Sequence, residues 1–281
     1  MSGTQVALVA DTTRDGVMDV LELVEEALRE HGAVIQRMAP RAELTSPADL
    51  AVVLGGDGTI LAQGRSFLQQ QLPIAGVNVG RLGFLAEFDA ESFARHAERI
   101  LSDDRPIRDR MTMEVSIQRA GESEGTWHPA VNDCVVTAGP PFRMIELRIE
   151  FDGLEGPRLT GDGVVVATPT GSTAYNVSAG GPIVHPECEA FALTPIAAHS
   201  LAFRPVVASP NAPLGIEVVR ANEGTTLVLD GQSTWKLADG DRVRIRRGTH
   251  RLRLLHDPER EFWDTVTSKM RWASGPSYRD R

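Results

Sequence analysis

Over its first hundred residues the chain alternates between two hydrophobic periods, and few folds accommodate that alternation. Residues 5–10 contain a short apolar run of strand length. Residues 17–29 then place Val17, Val20, Leu21, Val24, Ala27 and Leu28 at helical spacing, and Gly32 stops the helix. A second strand pattern covers residues 34–38. Residues 50–54, Leu-Ala-Val-Val-Leu, are apolar without interruption, as a strand buried on both faces requires. A helical stretch at 60–68, a strand at 74–77 and a helix at 93–101 complete the series. Strands separated by helices line up in parallel with the helices on the sheet faces. The expected fold is therefore an α/β domain with an open, mostly parallel sheet.

Beyond Asp109 the pattern changes. Short β-branched stretches at 112–117, 131–137, 145–151, 163–167, 216–219, 226–229 and 242–245 are cut by Gly, Pro and Asn, which predicts an all-β domain. Asp152-Gly153 and Asp230-Gly231 are hairpin-turn pairs. Residues 261–272 return to helical spacing, and the tail after Gly275 carries no pattern. The expected organisation is an α/β domain over 1–109 and a β domain over 110–255. A partly helical segment over 256–281 would then pack back on the first domain. A chain of 281 residues is long enough for two cores.

Composition removes several classes of function. No apolar run approaches the roughly 20 residues of a membrane span. No basic stretch followed by an apolar one opens the chain, so a cytoplasmic protein is expected. A net charge of −9 argues against a general nucleic-acid binder, which needs a basic surface. Cys134 and Cys188 lie too far apart for a ligand pair. His185 near Cys188 is the nearest thing to a metal pair, and a plain buried thiol is the better reading. Only two of the 29 basic residues are lysines, Lys236 and Lys269, and neither follows a glycine-rich loop. A P-loop is therefore absent, and a triphosphate would be handled by backbone amides, arginine and metal.

Four segments carry chemistry. Gly55-Gly56-Asp57-Gly58-Thr59 follows the buried strand and precedes a helix, the sheet edge at which ligands bind in open α/β folds. The helix start favours an anion, while Asp57 repels one. Asp57 makes sense if it faces a hydroxyl that attacks phosphorus, or a magnesium ion. The alternative is a tight turn in which Asp57 caps the next helix. Asn78-Val79-Gly80-Arg81-Leu82-Gly83-Phe84-Leu85 also follows a strand. Its Phe84 can stack on a planar ligand or simply fill an interface. Asn132-Asp133 puts two polar side chains inside a β pattern, where they either hold ribose hydroxyls or form a turn. Residues 160–182 are dominated by hydroxyls, glycine and small side chains. They read as a surface loop suited to ribose and phosphate, with Tyr175 closing a pocket wall; a flexible Ser/Gly linker is the alternative.

Taken together these segments resemble NAD kinases over nearly the whole chain. The carrying residues are Gly55 to Thr59, Asn78 to Leu85, Asn132-Asp133, and Gly161-Asp162-Gly163 running into Thr168 to Tyr175. His199-Ser200-Leu201, Arg204-Pro205 and Asp230-Gly231-Gln232 also match. The first motif is shared with lipid kinases and phosphofructokinase-like enzymes; the long hydroxyl-rich segment narrows the choice. The resemblance implies phosphoryl transfer from ATP, another triphosphate or polyphosphate to the 2′-hydroxyl of the adenosine ribose of NAD. It implies a dinucleotide between the two domains, and a divalent metal ion, expected to be magnesium.

It also implies that Asp57 lies at the reacting hydroxyl as base or orienter, with Gly55, Gly56, Gly58 and Thr59 forming the phosphate-donor loop. Gly58 and Leu61 would lie along the pocket and Phe84 near the adenine. Asn132 and Asp133 would hold ribose hydroxyls, and Asp162 the nicotinamide end. Thr170, Thr173, Ala174, Tyr175 and Ser178 would line the dinucleotide, joined by His199. Homodimers or homotetramers are expected. The family commonly has Asn-Glu where Asn132-Asp133 stands, so affinity is the property most exposed to change. The rival functions are a lipid kinase with the same loop and a non-catalytic NAD(P)(H) sensor. A dehydrogenase is disfavoured because no Gly-x-Gly-x-x-Gly follows the first strand.

Overall fold

The computed structural model describes residues 3–80, 83–122, 125–200 and 202–270. Arg81, Leu82, Leu201, Trp272 and the tail after Gly275, each part of a pattern noted above, lie outside the described residues. The chain divides into two units. The first takes in the chain up to Ser66, Leu72–Arg108 and the chain from Arg253 onward; the second takes in Phe67–Gln71 and Asp109–Leu252.

The first unit opens with β1 (Gln5–Val9), α1 (Val17–Glu30), β2 (Val34–Met38) and β3 (Leu50–Leu54). It continues through α2 (Asp57–Phe67), β4 (Ile74–Val77), α3 (Ala90–Leu101) and β5 (Ile107–Arg110). Helix α1 buries Val17, Leu21, Val24 and Leu28, the stripe its 3.6-residue period puts on one face. Helix α3 starts in a reciprocal cap: Asp89 accepts from the Ser92 amide and the Ser92 hydroxyl accepts from the Asp89 amide. Helix α2 begins at Asp57, earlier than apolar spacing indicated, because its first turn is polar and glycine-rich.

The second unit is all-β. Its strands are β6 (Met113–Gln118), β7 (Trp127–Ala130), β8 (Asp133–Thr137), β9 (Ile145–Phe151), β10 (Leu154–Gly161) and β11 (Gly163–Ala167). After a 3-10 turn at Thr170–Thr173 and the short α4 (Tyr175–Ser178) come β12 (Phe191–Ile196), β13 (Val206–Ala208) and β14 (Leu214–Arg220). The last three are β15 (Thr226–Leu229), β16 (Ser233–Lys236) and β17 (Arg242–Arg247). Two antiparallel sheets result, ordered β10-β9-β14-β17-β6-β7 and β13-β12-β11-β8-β15-β16. Alternate residues of each, such as Leu147, Ile149 and Ile216 from one and Val136, Val166 and Leu193 from the other, make a single core. Both expected hairpin turns form, with positive φ at Asp152, Gly153, Asp230 and Gly231.

The chain then re-enters the first unit at Arg253, within β18 (Leu252–Leu255), and continues to α5 (Phe262–Met270). The first sheet is ordered β2-β1-β3-β4-β18-β5 and is parallel from β2 through β18. Residues 252–255 read in sequence as part of the β domain; they sit in the first sheet because a strand's own pattern does not specify which sheet takes it.

Residues 160–182 are not a surface loop. Thr168, Ser172 and Asn176 are fully buried. The segment covers the second face of the β12-β11-β8 sheet, where Val135, Val165, Ala167 and Ala192 pack with Ala179 and Val184. Small side chains let it lie flat there, and their polar groups bond one another instead of water. Among the described residues no helix is long and apolar enough to cross a membrane.

Candidate active site

Each unit carries one set of candidate groups. In the first, the chain turns sharply after β3. The Gly55 amide donates to the Val77 carbonyl of β4, and the Thr59 amide to the Gly56 carbonyl, so these two loop amides are already used. Asp57 opens α2, where the helix dipole favours an acid, yet its side chain does not cap that helix. It reaches to the second glycine loop instead. Oδ2 accepts from the Phe84 amide at 2.9 Å, and Oδ1 from the amides of Leu85 at 2.9 Å and Ala86 at 3.3 Å. The capping alternative is thereby removed.

Gly83 is a condition of this arrangement, since a Cβ there would overlap the Asp57 carboxylate. The backbone comes close enough to hold Asp57 only because that position has no side chain. Phe84 is half-buried, with its ring 6.2 Å from that of Phe262 on α5. Leu61 is buried within α2, whereas Gly58 is exposed at the loop.

In the second unit the set centres on the turn before β8. Buried Asp230 accepts from the amides of Val131 at 3.0 Å, Asn132 at 2.7 Å and Asp133 at 3.1 Å. The Thr168 hydroxyl donates to the Val131 carbonyl, and the Thr168 amide to the Asn132 carbonyl. Gly171 lies against the Asn132 backbone so closely that any Cβ would overlap it. Residues 168–171 and 131–133 thus form one rigid patch.

Two oxygens in that patch, Asn132 Oδ1 and Thr170 Oγ1, are buried without a hydrogen-bond partner among the described residues. Each such orphan costs about 1–3 kcal/mol unless a ligand supplies a donor. Asp133 is buried, and among the described residues its carboxyl accepts no hydrogen bond. Burial, and then the negative charge of Asp230, push its pKa up to about 7.

Half-buried Thr173 and Ala174 follow from Thr170, then exposed Tyr175 and Ser178 along α4. Asp162 and His199 are exposed, held through their backbones to Ile196, Ala138 and Thr160.

Some residues received no role from the sequence. Asp230 was legible as a turn former but not as the acceptor that shapes the Asn132-Asp133 turn. Lys269 carried no local signal, yet its Nζ lies 3.7 Å from Asp57 Oδ2. His96, Asp257 and Glu259 come within metal-ligating distance of one another. Arg95 at 2.8 Å from Glu259 and Arg260 at 3.2 Å from Asp257 already match their charge, so this cluster ties the C-terminal segment to α3. The plain buried thiol expected beside His185 is also corrected: Cys188 is exposed, and the buried thiol is Cys134.

Solved structures share this architecture. Yeast NADH kinase complexed with NADH superposes with a TM-score of 0.86 at 24% identity, covering 99% of this chain and 90% of that one. An NAD kinase from Archaeoglobus fulgidus in complex with ATP gives 0.77 at 28% identity, covering 95% of this chain and 99% of that one. A parallel α/β unit with a carboxylate fixed at a sheet-edge glycine loop, joined to a β sandwich, is thus the build of a two-domain kinase.

The sequence comparisons are more specific. Residues 12–105 match the family model described as the ATP-NAD kinase N-terminal domain, and residues 131–256 match the ATP-NAD kinase C-terminal domain. NAD kinase of Geotalea daltonii is 39% identical over 251 residues, 89% of this chain and 87% of the relative. NAD kinase of Geobacter sulfurreducens is 38% identical over 253 residues, 90% of this chain and 88% of the relative. The chain belongs to the ATP-NAD kinase family.

Proposed function

We infer that this chain is an NAD kinase. It moves the γ-phosphoryl group of ATP to the 2′-hydroxyl of the adenosine ribose of NAD, giving NADP. The observation that carries this reading is Asp57, a carboxylate withdrawn from its own helix and fixed by three amides at a sheet edge. A ribose hydroxyl is a weak nucleophile and the phosphoryl transition state is loose, so orientation and charge provide most of the acceleration. A rigid carboxylate provides orientation, and accepts the hydroxyl proton late in transfer.

The same donors bear on the metal. With amides on both oxygens and an ammonium 3.7 Å away, Asp57 does not fit a magnesium ligand. Magnesium belongs to the magnesium–ATP substrate, and no protein carboxylate in this loop holds it. The orphaned oxygens of Asn132 and Thr170 accept from ribose hydroxyls, as does Asp133. The shorter reach of Asp133 relative to the family's usual Glu is made up by the tightly held turn beneath it. Phe84 packs at the adenine, and Asp162 and His199 act toward the nicotinamide end. Thr173, Ala174, Tyr175 and Ser178 run along the dinucleotide, and Gly56 and Gly58 face the donor phosphates. The reaction takes place in the cytoplasm. Self-association is supported by exposed Val206 and Val207 on the edge strand β13.

The test is NADP formation from NAD and magnesium–ATP, read through an NADP-specific dehydrogenase, with Asp57→Asn alongside. The variant should bind NAD normally and lose about a hundredfold or more in turnover. Near-normal turnover would take Asp57 out of the chemistry. NAD binding with no product from the wild type would favour the sensor reading.

A further inference from the structure

Asp57 creates an electrostatic problem. A carboxylate repels the phosphates it works beside, and no lysine follows a glycine loop to offset it. One of the two lysines reaches the loop from far along the chain. Lys269 stands on the last turn of α5, with Nζ 3.7 Å from Asp57 Oδ2 and 5.0 Å from the centre of the Phe84 ring. The geometry points to Lys269 as a further catalytic residue, whose ammonium contacts the phosphoryl group as it passes beside Asp57. The inference rests on the kinase reading above.

Four observations support it. Asp57 does not depend on Lys269 for its position, because three amides already hold it. The 3.7 Å separation is also longer than the ~2.7–2.9 Å of a charge-assisted hydrogen bond. Among the described residues the ammonium makes no hydrogen bond, so its three N–H donors are open to ligand oxygens. Finally, the Lys269 and Asp57 side chains are 32% and 35% exposed, so one ligand can reach both.

In the transfer, the 2′-oxygen forms a bond to the γ-phosphorus and the bond from that phosphorus to the bridging oxygen breaks. The electron pair leaves on ADP, and the hydroxyl proton passes to Asp57. Charge on the moving group sits on its equatorial oxygens, where a fixed cation lowers the barrier. Lys269 supplies the charge that a glycine-loop lysine supplies elsewhere.

The experiment compares full-length wild type, Lys269→Met and Lys269→Arg by steady-state kinetics, NAD titration and thermal melting. Lys269→Met should lower kcat about a hundredfold. Its NAD Kd should stay within about twofold and its Tm close to wild type, and Lys269→Arg should recover much of the lost rate. A Lys269→Met kcat within a few-fold of wild type overturns the inference. So does a loss of kcat matched by parallel losses of NAD binding and Tm, which would make Lys269 an anchor for α5. Failure of the wild type to make NADP would instead remove the kinase reading, before any variant is compared.

Discussion

Asp133 sits in an environment far from that of an ordinary carboxylate. It is buried, unbonded through its carboxyl among the described residues, and close enough to Asp230 to feel its charge, so its pKa rises to about 7. The unfolded chain holds that proton only up to about pH 3.8. Between these two values the folded state binds more protons than the unfolded state. Its stability is therefore full below the lower value and declines as pH rises through the upper one. Without ligand, the Tm of the wild type should fall from pH 5 to pH 8, and Asp133→Asn should flatten that slope and be the more stable protein at pH 8. Equal slopes in the two proteins would show that Asp133 titrates like an exposed acid. On the proposed function the cost is offset, because a ribose hydroxyl would donate to the ionised form.

At the scale of elements, the hydroxyl-rich stretch shows what sequence reading captures and what it misses. Its unusual composition sets it apart from the strands around it, but composition does not reveal that the hydroxyls and amides would bond one another. Asn176 is the centre of that internal network. Its Nδ2 donates to the Ser172 carbonyl at 3.0 Å and the Pro182 carbonyl at 2.9 Å, while Oδ1 accepts from the buried Thr194 hydroxyl at 2.7 Å. Truncating it strands those partners in a dry interior. Asn176→Ala should cost about 3 kcal/mol in urea unfolding; a loss below about 0.5 kcal/mol would mean water replaces the amide freely. Strands β9, β11 and β15 were legible at their observed bounds because apolar residues and turn signals agree there. Strand β10 was not, because half of its residues are exposed and it forms by pairing with β9 across the Asp152-Gly153 turn. The Asp57 loop was legible from glycine spacing after a buried strand. Its contacts with residues 84–86 and Lys269 depend on tertiary structure, which no local pattern encodes.

At the scale of the whole molecule, the two kinds of hydrophobic period correctly separated an α/β unit from a β sandwich. They could not show that the first unit is discontinuous. Strand β18 lies between β4 and β5 and follows the entire sandwich in sequence. Leu252, Leu254 and Leu255 on it are at most 2% exposed. Burying three leucines contributes roughly 2 kcal/mol each, which is comparable to the whole net stability of about 5–15 kcal/mol of a domain. Its removal also leaves β4 with unpaired backbone groups on one side. A fragment of residues 1–110 should therefore fail to fold cooperatively, binding a hydrophobic dye and giving poorly dispersed amide resonances. Joining residues 252–281 to it through a flexible linker should restore a sharp thermal transition. A cooperative transition in the fragment alone would mean that β5 can close directly on β4. Folding of the catalytic loop would then precede the sandwich; as the structure stands, the unit bearing Asp57 is completed only after the last strand of the chain has been made.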